Sequence, residues 1–186
     1  MKKLIILSLA VFNLSCATAP TTQILDDGFI SSRPNFQVQF HKPIVEKYEE
    51  SQRVHRGNTE IYVFGVNNRE GIVIEIATFI QDRGGFNFYG PVQVLTNWNR
   101  IALDPVVIDG RQWIKFVDFT KEKNLVTGYF RLIDKSFISV CRLCIAGAYA
   151  KEIESVKSGT ALNDRQKKLL DEEFSKADEL FSIGKK

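Results

Sequence analysis

The chain has 186 residues, 44% of them hydrophobic and 25% charged, with 12 glycines and 5 prolines, which excludes a disordered, collagenous or repeat-built protein and leaves one ordinary globular domain. Fourteen phenylalanines, five tyrosines and two tryptophans supply a single core without a metal or a disulfide lattice. The net charge is +3, and removal of Lys2 and Lys3 with the leader takes the 25 basic residues to 23 against 22 acidic ones, which excludes a strongly basic nucleic-acid binder.

Met1-Lys2-Lys3 is a short cationic start, residues 4–12 are an almost unbroken apolar run, and Asn13-Leu14-Ser15-Cys16 follows. This is the layout of an export signal. As a helix the apolar run would reach only about 14 Å at ~1.5 Å per residue, against roughly 30 Å of bilayer hydrocarbon. The Leu14-Ser15-Cys16 junction resembles the leader of bacterial lipoproteins, although Asn13 and Leu14 stand where that family has an aliphatic and a small residue. The resemblance implies cleavage after residue 15 and a diacylglycerol on Cys16. Two or more acyl chains at ~0.8 kcal/mol per buried methylene make a stable membrane anchor. It also implies sorting to the outer membrane, facing the periplasm, since Ala17 rather than an aspartate follows the cysteine. An ordinary secretory peptide with an incidental cysteine, or an apolar N-terminal helix, stands as the alternative.

The resulting organisation is a signal peptide over residues 1–15, a lipidated cysteine and flexible tether over 16–28, and one domain over 29–186. The tether is expected from Ala17-Thr18-Ala19-Pro20-Thr21-Thr22-Gln23, small and polar residues without apolar periodicity.

In the domain, Phe36-Gln37-Val38-Gln39-Phe40 alternates with period two and predicts the first strand. Residues 59–66 and 72–80 are β-branched and aromatic runs around Asn67-Asn68-Arg69-Glu70-Gly71, a hairpin. In that hairpin Glu75, between Ile74 and Ile76, is expected on the wet face. Residues 106–108 and 111–119 flank Asp109-Gly110, the two-residue signal for a type I′ turn. Further strands are predicted over 125–133 and from Phe137. Two helices close the chain: one with Ala146, Tyr149, Ala150, Ile153 and Val156 on one face, stopped by Gly159, and one over 164–183 with Leu170, Phe174, Ala177 and Phe181. Asn163 with Gln166 is a capping-box start for the second. The fold class is α+β, an antiparallel sheet meander with C-terminal amphipathic helices packed on one face.

The order of a Phe36-x-Val38-x-Phe40 strand, hairpins and a closing helix over residues 29–183 is similar to the PsbP-like α/β/α sandwich family of exported accessory proteins. The resemblance implies a non-enzymatic binding or assembly role and carries no functional residue over.

Cys141-Arg142-Leu143-Cys144 is the one reactive-looking constellation. On a helix N-terminus the pair would suit thiol-disulfide chemistry; on a strand, residues three apart face opposite ways and cannot bridge. The β-rich run Phe137-Ile138-Ser139-Val140 favours the strand. The loop Gly84-Gly85-Phe86-Asn87-Phe88-Tyr89-Gly90, with Trp98 beyond it, offers Phe86, Phe88, Tyr89 and Trp98 as partner contacts, or as core filling if a strand begins there. No catalytic residues, metal ligands or cofactor are assigned: nucleophile, metalloprotease and phosphate-loop motifs are missing, and His41 and His55 read as solvated turn-edge residues. The expectation is a lipid-anchored envelope protein, non-enzymatic, that binds another envelope protein or a small ligand; a thiol-redox protein using Cys141 and Cys144, and a carrier of a small apolar ligand, are the alternatives.

Overall fold

A computed structural model describes residues 22–54, 57–79, 101–120, 122–133, 136–145, 147–156 and 161–184. Strands β1 (Thr22–Leu25), β2 (Gly28–Ser32) and β3 (Asn35–Phe40) form an antiparallel meander, and the last strand, β11 (Phe181–Gly184), pairs with β3 to complete a four-stranded sheet. Strands β4 (Glu46–Val54), β5 (Gly57–Asn67), β6 (Glu70–Phe79), β7 (Ile101–Ile108), β8 (Arg111–Phe119), β9 (Leu125–Ile133) and β10 (Ser136–Cys144) form a seven-stranded sheet in the order β4-β5-β6-β10-β9-β8-β7. Every pairing is antiparallel. The β7–β8 turn has Asp109 at φ 50° and Gly110 at φ 69°, the two left-handed residues that the Asp-Gly pair predicts.

The period of two decides which side chains meet. In β3, Phe36, Val38 and Phe40 point inward while Asn35 and Gln39 stay outside. They join Phe29 of β2 against Tyr62 and Phe64 of β5, with ring centroids 4.8 Å apart for Phe29–Tyr62 and for Phe40–Phe64. The small sheet thus covers one face of the large one. Helix α1 (Asp164–Asp178) lies on that same face: Phe174 packs on Tyr129 of β9, centroids 5.8 Å apart, under the Lys115 ammonium. Each buried Leu170 or Phe174 side chain contributes roughly 1.5–3 kcal/mol to holding the helix there. On the opposite face of the large sheet Ile61, Val73, Phe116, Val126 and Cys141 form a second cluster. There Gly128 of β9 lies opposite Cys141, and a Cβ on it would come within 2.4 Å of the Cys141 Cβ, so the strand needs a glycine at that point.

Several expectations change. The Phe36 strand is the third, because residues 22–25 and 28, assigned to the tether, already pair in β1 and β2, with Ile24 packed on the core. Backbone pairing to a neighbouring strand needs no long apolar run, so composition hides it. Strand β4, with three glutamates, one lysine and one arginine among nine residues, was not foreseen either: it is a sheet edge, where charge discourages further pairing. Among the described residues, the stretch expected as the first closing helix holds one 3-10 turn, Lys151–Ser155, and α1 is the one α-helix. Ala150, Ile153 and Val156 are spaced by three, which the tighter 3-10 repeat satisfies as well as an α-helix does. Gly159 lies outside the described residues. The last helix ends at Asp178 rather than running to residue 183, and Phe181 instead pairs with Phe40 in β11. Glu75 is 1% exposed, buried beside Ser139, whose hydroxyl donates to it at 3.2 Å. Both faces of the central strands are covered, so alternation there does not separate wet from dry.

Candidate functional site

The most developed polar cluster lies where the β5–β6 turn, β10 and α1 converge. In β10 the positions facing the small sheet and α1 are Ile138, Val140, Arg142 and Cys144, so the strand's own alternation drives a guanidinium into the core at 2% exposure. Its Nε and Nη2 donate to Glu70 Oε1 at 2.8 and 2.5 Å, and Nη1 donates to Glu173 Oε2 at 2.6 Å. Glu173 projects from the apolar stripe of α1 between Leu170 and Ala177, and its other oxygen accepts from Lys176 Nζ at 2.6 Å. Two cations and two carboxylates balance. The cluster borders a cleft of about 350 Å³ lined by Asn67, Asn68, Arg69, Glu70, Arg142, Ala148 and Lys176.

Burial by itself would raise the Glu70 pKa, but the Arg142 hydrogen bond and charge outweigh it and hold the carboxyl below its ordinary value. Burial pushes the Cys144 thiol up, against the opposing Arg142 charge. At neutral pH that thiol is protonated and a poor nucleophile. With both Glu173 oxygens and three Arg142 nitrogens engaged, the cluster works as a clamp of hairpin, strand and helix rather than as an acid-base pair.

The sequence-predicted residues are distributed differently. Cys141 and Cys144 are both on strand β10, both buried and both unoxidised. Cys141 belongs to the cluster on the outer face and Cys144 to the core between the layers, so the sulfurs lie on opposite sides of the sheet and cannot join each other. His41, read as a solvated turn residue, is exposed yet tied down: its Nδ1 lies 3.1 Å from the Asp178 carbonyl and its Nε2 3.1 Å from Ser182 Oγ. A carbonyl only accepts, so Nδ1 is the donor in that contact. Cys16, His55, Phe86, Phe88, Tyr89 and Trp98 lie outside the described residues. Among the described residues no group of three or more His, Cys, Asp or Glu side chains could hold a metal ion. No described helix is long and apolar enough to cross a membrane.

Sequence reasoning missed Glu70, Arg142 and Glu173. The signal was present: Arg142 falls on the apolar phase of its strand and Glu173 on the apolar phase of its helix, and opposite charges in two buried phases are natural partners. Compared with known proteins, the chain matches no family model, no curated protein and no solved structure.

Proposed function

We propose that the protein is anchored by lipid on Cys16 to a bacterial cell-envelope membrane, with the outer membrane facing the periplasm as its address, and that its domain binds or assembles with another envelope component without catalysis. The observation that carries this reading is the leader itself: Lys2-Lys3, the short apolar run over residues 4–12, and Ser15-Cys16. The start of β1 at Thr22 is compatible with it. Six Cα steps separate Cys16 from Thr22 and reach at most about 22 Å. That length holds a domain close to the headgroups.

The charged groups of the described polar cluster neutralise one another and so clamp the domain rather than react. A thiol-redox role would need Cys141 and Cys144 to act separately, each from its own face of the sheet. The test is the intact mass of the protein extracted from envelopes, with Cys16→Ala alongside. A mature chain beginning at Cys16 and carrying acyl mass, with the variant released from washed membranes, is the expected result. A chain that keeps its leader in the cytosol, or starts elsewhere without added mass, overturns it.

A further inference from the structure

Along the β8–β9 register, away from the Arg142 clamp, two arginines lie near each other, and among the described residues neither is paired with a carboxylate. Trp113 and Arg131 follow by register as direct neighbours across β8 and β9, since Ile114 pairs with Phe130, and Arg111 is two residues from Trp113 on the same face. Arg111 and Arg131 are therefore diagonal neighbours, their Cβ atoms about 7–8 Å apart, within reach of one common point. Arg131 lies over the buried Trp113 ring at 5.7 Å. Its Nε and Nη1 are shielded from solvent, and among the described residues neither has a hydrogen-bond partner. Arg111 donates by Nη1 to the Asn35 carbonyl at 3.2 Å, which positions it. No carboxylate among the described residues pairs with either. Burial and the nearby Arg111 charge both push the Arg131 pKa down.

Shielded guanidinium N–H groups without acceptors are costly, and two like charges side by side add to the cost. An oxyanion removes both terms at once, since the arginine fork matches its oxygens and a tetrahedral group offers acceptors in several directions. We propose that Arg111 and Arg131, braced by Asn35 and Trp113, form a binding site for a phosphate group. Two sources present that chemistry, a free phosphate compound and a phospholipid headgroup. The headgroup source rests on the lipid-anchor reading; the site does not. Thr22 pairs with Ser31, in the register next to the Ser32–Asn35 pair that closes the β2–β3 turn, so an anchor at Cys16 would enter at this end of the domain.

The experiment uses the full chain with Cys16→Ser, so that no acyl group contributes, and follows thermal unfolding in rising inorganic phosphate against matched sodium chloride. A ligand of the folded state raises the midpoint with its concentration. The expected result is a phosphate-specific rise, with apparent affinity weakened about tenfold or more in both Arg111→Gln and Arg131→Gln, as loss of a charged hydrogen bond requires. Circular dichroism checks that each variant folds, and two sites guard against one that does not. Flotation with phosphatidylglycerol vesicles then separates the sources: arginine-dependent binding that free phosphate competes away identifies a headgroup, and phosphate stabilisation without vesicle binding identifies a soluble ligand. A midpoint that responds to phosphate no more than to chloride, or equally in wild type and both variants, overturns the site, unless vesicles bind in an arginine-dependent way. The mass of the mature chain reports on the anchor independently.

Discussion

Arg142 of strand β10 and Glu173 of helix α1 meet at 2.6 Å, with both side chains almost wholly removed from water. Glu70 closes the other side of the guanidinium, so one arginine joins the β5–β6 hairpin, the central sheet and the C-terminal helix. Replacing it by methionine keeps much of the volume but leaves Glu173 buried without this cation, with Lys176 alone beside it. Breaking a buried pair in this way costs about 3–5 kcal/mol. Urea unfolding of Arg142→Met is expected to show a loss of that order; a loss under about 1 kcal/mol would mean that the cluster does not hold the helix.

Acid should weaken the same clamp. Glu70 is held below its ordinary pKa, so its contribution is fully present above the unfolded value and is lost as pH falls through the lower, folded value. Stability of the wild type, measured by urea unfolding at a series of pH values below about 5, is expected to fall more steeply than that of Glu70→Gln, which has no proton to take up there. Parallel slopes would refute the assignment.

Alkali should act through the tyrosines. Burial is the main cause that raises Tyr62 to about 12 and lifts Tyr129 and Tyr149 well above the ordinary phenol; the Tyr129 hydroxyl also donates to Asp178 Oδ1 at 2.7 Å. An acid with a raised folded pKa stabilises fully below its unfolded value, about 10, and the contribution disappears as pH climbs towards the folded value. Phenolate absorbance is expected to show these three tyrosines ionising late or only on unfolding. Tyr129→Phe should remove part of the alkaline slope and cost on the order of 1 kcal/mol at neutral pH.

The two strand thiols should be silent in the native protein. Cys141 donates to the Val73 carbonyl at 3.6 Å, and Cys144 is buried beside Arg142. In a Cys16→Ala background, a thiol reagent is expected to label neither until denaturant is added, and a mild oxidant should leave the mass free of an internal disulfide. Rapid native labelling of one thiol would instead support a redox role for it.

Local rules in the chain were sufficient for much of this. Asn163 and Gln166 form the reciprocal capping box that their spacing predicts, Asp109-Gly110 makes its left-handed turn, and the Cys141 segment is the strand its β-branched neighbours favour. Each depends on residues within a few positions of one another. The apolar phase of a strand or helix was equally visible, and so were the residues that break it, Arg142, Glu173 and Arg131.

What those phases face was decided only by the assembled layers. Phe181 continues the helical stripe of α1 in phase, yet leaves the helix because β3 offers an unpaired edge, and both outcomes bury the ring. Glu75 sits where alternation expects water and is dry because that face of the sheet is covered too. Arg142 finds its partners 31 and 72 positions away, and Arg111 and Arg131 become neighbours only through the β8–β9 register. A sequence fixes periodicity and caps through short-range geometry, whereas the pairing of charges and the covering of faces are set by contacts between residues far apart along the chain.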